Sequence, residues 1–177
     1  MNDKLPSREQ ALKLLYESRC SPEVIGHCRA VAKLATETAQ TLKAKGINVD
    51  AEIVEIGAIL HDIGRSKTHS VHHAIVGAKI AESAGLPNSV VSIIKRHVGG
   101  GITSSEAEKL GWPRGAVYVP LTLEEKIVSY ADKLIAKSKQ VPIEVTIKEL
   151  SRDLKPEAVE RVRKLHEEIN ALLGDHP

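Results

Sequence analysis

A chain of 177 residues with 42% hydrophobic and 27% charged residues predicts one globular domain that buries roughly 68–70% of its unfolded surface. A formal net charge of +2, with Lys and Arg spread along the chain, excludes a polyanion grip as the main function. No Phe, one Trp and three Tyr exclude aromatic platforms for single-stranded nucleic acid, and no apolar run approaches the ~20 residues of a membrane span. The core must therefore be built from Leu, Ile, Val and Ala. Met1-Asn2-Asp3-Lys4 leads into a polar segment without an apolar signal core. With Cys20 and Cys28 eight apart and no CxxC, this predicts a cytoplasmic protein with two reduced thiols.

Helix punctuation runs through most of the chain. Ser7 and Gln10 form a capping box for a helix over 7–18. Ser21-Pro22-Glu23 starts a second helix with an N-cap, a proline in the first turn and an acid at the positive end of the dipole. Val24, Val31, Leu34 and Leu42 follow at helical spacing as far as Gly46. Asp50 caps a third helix carrying Ile53, Ile56 and Leu60 up to Gly64. A fourth spans 70–85, with a small face of Gly77, Ala78, Ala81 and Ala84. Asn88 caps a fifth, bearing Val90, Ile93 and Ile94 up to His97.

Residues 98–122 are the least regular. Gly99-Gly100-Gly101 breaks the chain, Thr103 and Glu106 start a short helix, and the Gly111-Trp112-Pro113 stretch reads as a loop. Thr122 with Glu125 caps a helix containing Ile127, Val128, Ala131, Leu134 and Ile135, and two more helices are predicted over 144–152 and 156–173. Residues 116–121 alone suggest a short extended piece. The fold class is all-α, a single bundle with a core over 21–138 and a helical extension over 143–173.

Eight histidines are the excess that needs explaining. His27 lies three after Val24 and four before Val31, on an apolar face. His61 and Asp62 close an apolar helix; neighbours on a straight helix point about 100° apart, but at a terminating turn both can reach one point. Asp132 stands four after Val128 and three before Ile135, where an unpaired carboxylate would cost several kcal/mol, on the order of the burial penalty for a charge. His73 starts an apolar helix and His97 ends one. Taken singly, His27, His73 and His97 could be hydrogen-bonded core or capping histidines, and Asp132 could pair with Lys133 or Lys126. Together, four imidazoles and two carboxylates on the inner faces of successive helices are the donors from which bundles build dinuclear metal sites.

The order His27, His61-Asp62-Ile63-Gly64, His73, His97, Asp132 resembles the HD-domain phosphohydrolases, whose core motif the His-Asp-Ile-Gly string matches. The resemblance runs from His27 to Leu134 and implies a helical HD domain with His27, His61, Asp62 and Asp132 as ligands. Adding His73 and His97 resembles the HD proteins with a second metal. That subset implies that Asp62 bridges, with His27, His61 and Asp132 on one ion and His73 and His97 on the other. Small bacterial HD hydrolases of diadenosine tetraphosphate, and uncharacterised archaeal HD proteins of similar length, are the branches it resembles. The chain departs from many relatives in Arg65, where a Lys usually follows, and in its Gly-rich 98–102 loop.

Imidazole and carboxylate without thiolate suit two divalent transition ions, Fe, Mn, Co, Ni or Zn. The expected activity is hydrolysis of a small phosphorylated substrate, a nucleotide above all, by a metal-activated hydroxide positioned by His61, Asp62 and Asp132. Arg65 leads the candidate phosphate contacts for its planar fork, followed by Lys67, Arg96 and Lys133. A regulatory nucleotide-binding module and a mixed-valent di-iron oxygenase are the alternatives on the same scaffold. No nucleic-acid or membrane partner is expected. Blander roles fall to His69 and His72 as loop residues, His166 as a half-buried packing residue, His176 in a frayed tail, and Trp112 as a loop anchor or a lid.

Overall fold

The computed structural model describes residues 4–174. These form a helical bundle: α1 (Arg8–Glu17), α2 (Pro22–Ala44), α3 (Ala51–Leu60), α4 (His73–Ser83), α5 (Asn88–Arg96), α6 (Ser104–Lys109), α7 (Leu123–Lys133), α8 (Ile143–Asp153) and α9 (Pro156–Leu173). A 3-10 turn over Ile63–Ser66 follows α3, and a two-stranded antiparallel hairpin, β1 (Ile135–Ala136) and β2 (Lys139–Gln140), follows α7. The all-α expectation holds.

The caps explain the boundaries. Ser7 and Gln10 close a full capping box on α1, and the Ser21 hydroxyl accepts from the Val24 N–H at the start of α2. Asp50 accepts from the Glu52 and Ile53 N–H groups, and Thr103 with Glu106 repeats the capping box on α6. Three expectations need correction. Asn88 is the first helical residue of α5, with Pro87 in the cap position. The helix of Asp132 ends at Lys133, so Ile135 belongs to the hairpin. The extended piece at 116–121 amounts to one bridge between Tyr118 and Ile102.

α3 is the central helix. Its Val54, Ala58, Ile59 and Leu60 are fully buried, and it packs against α1, α2, α5 and α7. Truncating Leu60 to Ala there costs about 2–5 kcal/mol. The small face of α4 lets the chain approach the 3-10 turn closely: a Cβ at Gly64 would overlap the His73 carbonyl oxygen and press on the Gly77 nitrogen. Any larger residue at 64 would push α4 away, and His73 with it. α9 lies across α7, α8 and α2, burying Val162 and Ile169 in the common core. Among the described residues no helix is long and apolar enough to cross a membrane.

Candidate metal centre

Five segments deliver the six candidate ligands to one buried cluster: α2 brings His27, the end of α3 His61 and Asp62, the start of α4 His73, the end of α5 His97, and α7 Asp132. Three overlapping groups have ligand atoms all within 4.8 Å of one another: His27, His61 and Asp62; His61, His97 and Asp132; and Asp62, His73 and His97. The helix break at the His-Asp pair is what admits both neighbours. His61 is the C-cap of α3, and Asp62 has left helical geometry at φ −102°, ψ 14°.

All four rings are held the same way. The Nδ1 of His27 lies 2.7 Å from the Lys137 carbonyl, and those of His61, His73 and His97 lie 2.7 Å from the carbonyls of Ala58, Ser70 and Ile94. A carbonyl accepts only, so each Nδ1 carries a proton and each Nε2 is left facing the cluster, where it offers a lone pair once the ring is neutral. This is the orientation that ligating histidines adopt. The Nε2 atoms of His73 and His97 stand 3.1 Å apart, a contact that neutral rings in this tautomer cannot make favourably without a cation. The Nε2 of His61 and Oδ1 of Asp62 are buried without a hydrogen-bond partner.

Asp62 sits between two histidine pairs. Its Oδ1 is 3.1 Å from His73 Nε2 and 3.3 Å from His97 Nε2, while its Oδ2 is 3.7 Å from His61 Nε2 and 3.9 Å from His27 Nε2. Asp132 Oδ1 lies 2.9 Å from His27 and 3.4 Å from His61. One carboxylate oxygen per histidine pair is the arrangement a bridging ligand needs. These donors fit divalent transition ions.

Burial and charge act against each other here. Burial raises both carboxyl groups, but surrounding groups hold them well below the usual carboxylate range: His61, His73 and His97 for Asp62, and Lys133, His27 and His61 for Asp132. Burial also lowers His61, yet Asp62, Cys28 and Asp132 together outweigh it and hold the ring well above its ordinary value. His97 goes the other way. Burial first, then the neighbouring His61 and His73, bring it down to about 4 despite Asp62.

The candidate phosphate contacts divide. Arg65 stands at the cluster, its Nε 2.6 Å from Asp62 Oδ2 with its side chain 31% exposed. Lys67 is exposed two residues on. Arg96 is engaged elsewhere, by Glu125 at 2.7 Å and the Val117 carbonyl at 3.1 Å, and is not brought to the cluster. Lys133 forms an ion pair with Asp132, so Asp132 is both a cluster member and half of an ion pair; the long lysine stem folds back toward its neighbour. Lys126 pairs instead with Glu168 at 2.6 Å.

Around the cluster, Trp112 is a buried anchor, packed edge-on against Tyr118 with its indole N–H donated to His72 Nδ1 at 2.9 Å. His69 is exposed, and its carbonyl lies 3.4 Å from Arg65. His166 is half-buried, stacked on Tyr130 and bonded to Asn170. His176 lies outside the described residues. Sequence reasoning missed Ser129, whose buried hydroxyl lies 3.1 Å from the His97 carbonyl and 3.0 Å from that of Gly99. Its spacing from Asp132 on α7 was the available signal.

Comparison with known proteins identifies the family. The family model described as HD domain matches residues 24–137. An uncharacterized protein of Methanocaldococcus jannaschii, MJ0778, is 45% identical over 167 residues, covering 93% of this chain and 98% of that protein. A tRNA (cytidine(56)-2'-O)-methyltransferase of Thermoplasma volcanium is 39% identical over 170 residues, 96% of this chain; the chain spans only 48% of that relative's length. Among solved structures, the HD domain of the L. monocytogenes phosphodiesterase PgpH, in complex with cyclic-di-AMP, superposes with a TM-score of 0.53 at 20% identity, over 95% of this chain and 99% of that one.

Proposed function

The chain belongs to the HD-domain family, and from that premise we propose that it is a metal-dependent phosphohydrolase cleaving a phosphoester or phosphoanhydride bond of a nucleotide, dinucleotide or other small phosphorylated substrate. One observation carries the reading: four imidazoles with Nδ1 committed to carbonyls turn Nε2 toward two carboxylates in one buried cluster. His27, His61 and Asp132 would hold one divalent ion and His73 and His97 another, with Asp62 offering an oxygen to each. When bound, such a pair supplies an acidified water and Lewis-acid stabilisation of an in-line phosphoryl displacement.

The chain's own contribution is placement. Carbonyl-anchored rings fix the donors before substrate arrives, so little reorganisation is needed during reaction. Asp62 and Asp132, held ionised, keep negative charge where cations and the attacking water must gather. Arg65, partly exposed at the edge of the cluster, offers a planar fork to the substrate phosphate, and Lys67 a second cation beside it.

The test is to strip the protein of metal, reload it separately with Mn, Fe, Co, Ni or Zn, and screen nucleotides and dinucleotides for released phosphate or mononucleotide. Metal-dependent turnover abolished by Asp62→Ala, together with metal binding, is expected. Tight nucleotide binding without turnover under any metal would favour a regulatory binding module, and iron-dependent oxygen consumption an oxygenase. The methyltransferase relative, of which a region like this chain makes about half, favours a second reading in which the phosphoester derives from RNA. A 2′,3′-cyclic nucleotide and a short RNA therefore belong in the panel.

A further inference from the structure

Lys133 is the last residue of α7 and sits beside Asp132. Its side chain is 10% exposed and turned inward, where the ammonium pairs with Asp132 Oδ2 and lies 3.3 Å from the His97 carbonyl. The other oxygen of Asp132 is the one that meets His27 and His61. His97 is the C-cap of α5, where a helix leaves carbonyls without intrahelical partners. Ser129, one turn before Lys133 and fully buried, reaches that same carbonyl. From α8, the Thr146 hydroxyl donates to the Lys133 carbonyl at 2.5 Å. The lysine is thus fastened at its head by the cluster and at its backbone by the C-terminal extension.

We propose that Lys133 is a positioning residue rather than a phosphate contact: its ammonium ties Asp132, whose Oδ1 meets His27 and His61, to the backbone at His97, whose Nε2 faces His73, and so sets the separation of the two halves of the centre. The proposal rests on reading the six residues as a metal centre. Occupying Oδ2 leaves Asp132 a single oxygen for an ion, which fixes both its direction and its denticity. A phosphate contact would require the ammonium to abandon two buried acceptors, leaving an unpaired carboxylate oxygen behind. Arg65, more exposed and held by Asp62 alone among the described side chains, faces no such obstacle.

Co2+ titration of the metal-free protein separates the possible roles, followed by bound stoichiometry and visible absorption, with bis(p-nitrophenyl) phosphate as the kinetic probe. Lys133→Met should bind Co2+ about 10–100-fold more weakly, as expected when a residue supporting a ligand is lost. Its absorption should be altered and its kcat reduced at unchanged KM, and Lys133→Arg should restore part of each. Ser129→Ala keeps the charge and should shift Co2+ affinity and absorption in the same direction; it carries the test if Lys133→Met does not fold. Higher Co2+ affinity in Lys133→Met would mean a repelling counter-ion only, and unchanged Co2+ binding with raised KM a phosphate contact. Either result overturns the proposal. Wild-type protein that takes up no Co2+ refutes the metal-centre reading itself, and this proposal with it.

Discussion

The Nε2 atoms of His73 and His97 face each other at 3.1 Å while each Nδ1 is held 2.7 Å from a carbonyl three residues earlier. Two lone pairs so placed repel, and a cation between them turns repulsion into ligation. Metal uptake should therefore stabilise the folded chain. At a free ion concentration 100 times Kd the linkage is worth about 2.7 kcal/mol, or roughly 5–10 °C in a domain of this size. Calorimetric scans with Mn2+ and with a chelator check this; coincident melting curves would contradict it.

His61 makes that uptake pH-dependent. Its pKa in the metal-free fold is raised, because Asp62, Cys28 and Asp132 together outweigh the burial that opposes them, so the ring holds a proton above the ordinary histidine range. Nε2 must lose that proton to bind an ion, so affinity should fall as pH is lowered, with about one proton released near neutrality as the position that uses His61 fills. Titration calorimetry in buffers of different ionisation heat measures the release. Heats that do not vary with buffer would show His61 to be neutral beforehand.

Gly64 should prove the most sensitive position outside the six ligands. A methyl group there meets the backbone of His73 and Gly77, which cannot move aside as a flexible side chain can. Gly64→Ala is expected to cost about 1–3 kcal/mol through overpacking. Displacing His73 from Asp62 should also lower metal stoichiometry. Denaturant melts and metal analysis report the two effects separately, and full metal loading in the variant would show that α4 tolerates the shift.

Cys20 and Cys28 are free and buried. Burial, with Cys28 and Asp62 adding to it, raises the Cys20 thiol to about 11. At pH 8 almost none is thiolate, the reactive form. Iodoacetamide should leave Cys20 unmodified in the native protein and label it on unfolding. Rapid native labelling, read by peptide mass, would contradict the placement.

Glu106 gives a second pH handle, remote from the cluster. Despite partial burial, the Arg161 guanidinium and the Thr103 cap hold its carboxyl below the ordinary value. A depressed folded pKa means the contribution is complete above the unfolded value of about 4.3 and fades as pH falls through the folded one. Glu106→Gln should therefore lower the melting temperature at pH 7 more than at pH 3. Equal losses at both would remove the ion pair as the cause.

What was legible in the sequence was local. Ser7, Ser21, Asp50 and Thr103 announce their helices because a cap acts within four residues, and the ligands stand out because apolar spacing frames them. Three of the four ring anchors are also local, reaching the carbonyl three residues back. The fourth was hidden. His27 depends on Lys137, 110 residues away and at φ 56°, a backbone state for which lysine carries no signal. Arg96 was misplaced for the same reason, since its partner Glu125 is remote. Of the two lysines open as partners for Asp132, Lys133 is the one that pairs, which a helical projection does not favour because it ignores how far a lysine stem can bend.

The family match stops at residue 137, yet α9 fills the interior with Val162, Leu165 and Ile169, Arg161 holds the Gly101 carbonyl, and Gly100 has no room for a Cβ against the backbone at Arg161 and Val162. The boundary of the family model and the mechanical one therefore differ. A fragment trimmed to the matched segment would expose a slab of core and release the loop after His97, so the smallest piece fit for expression includes the last helix.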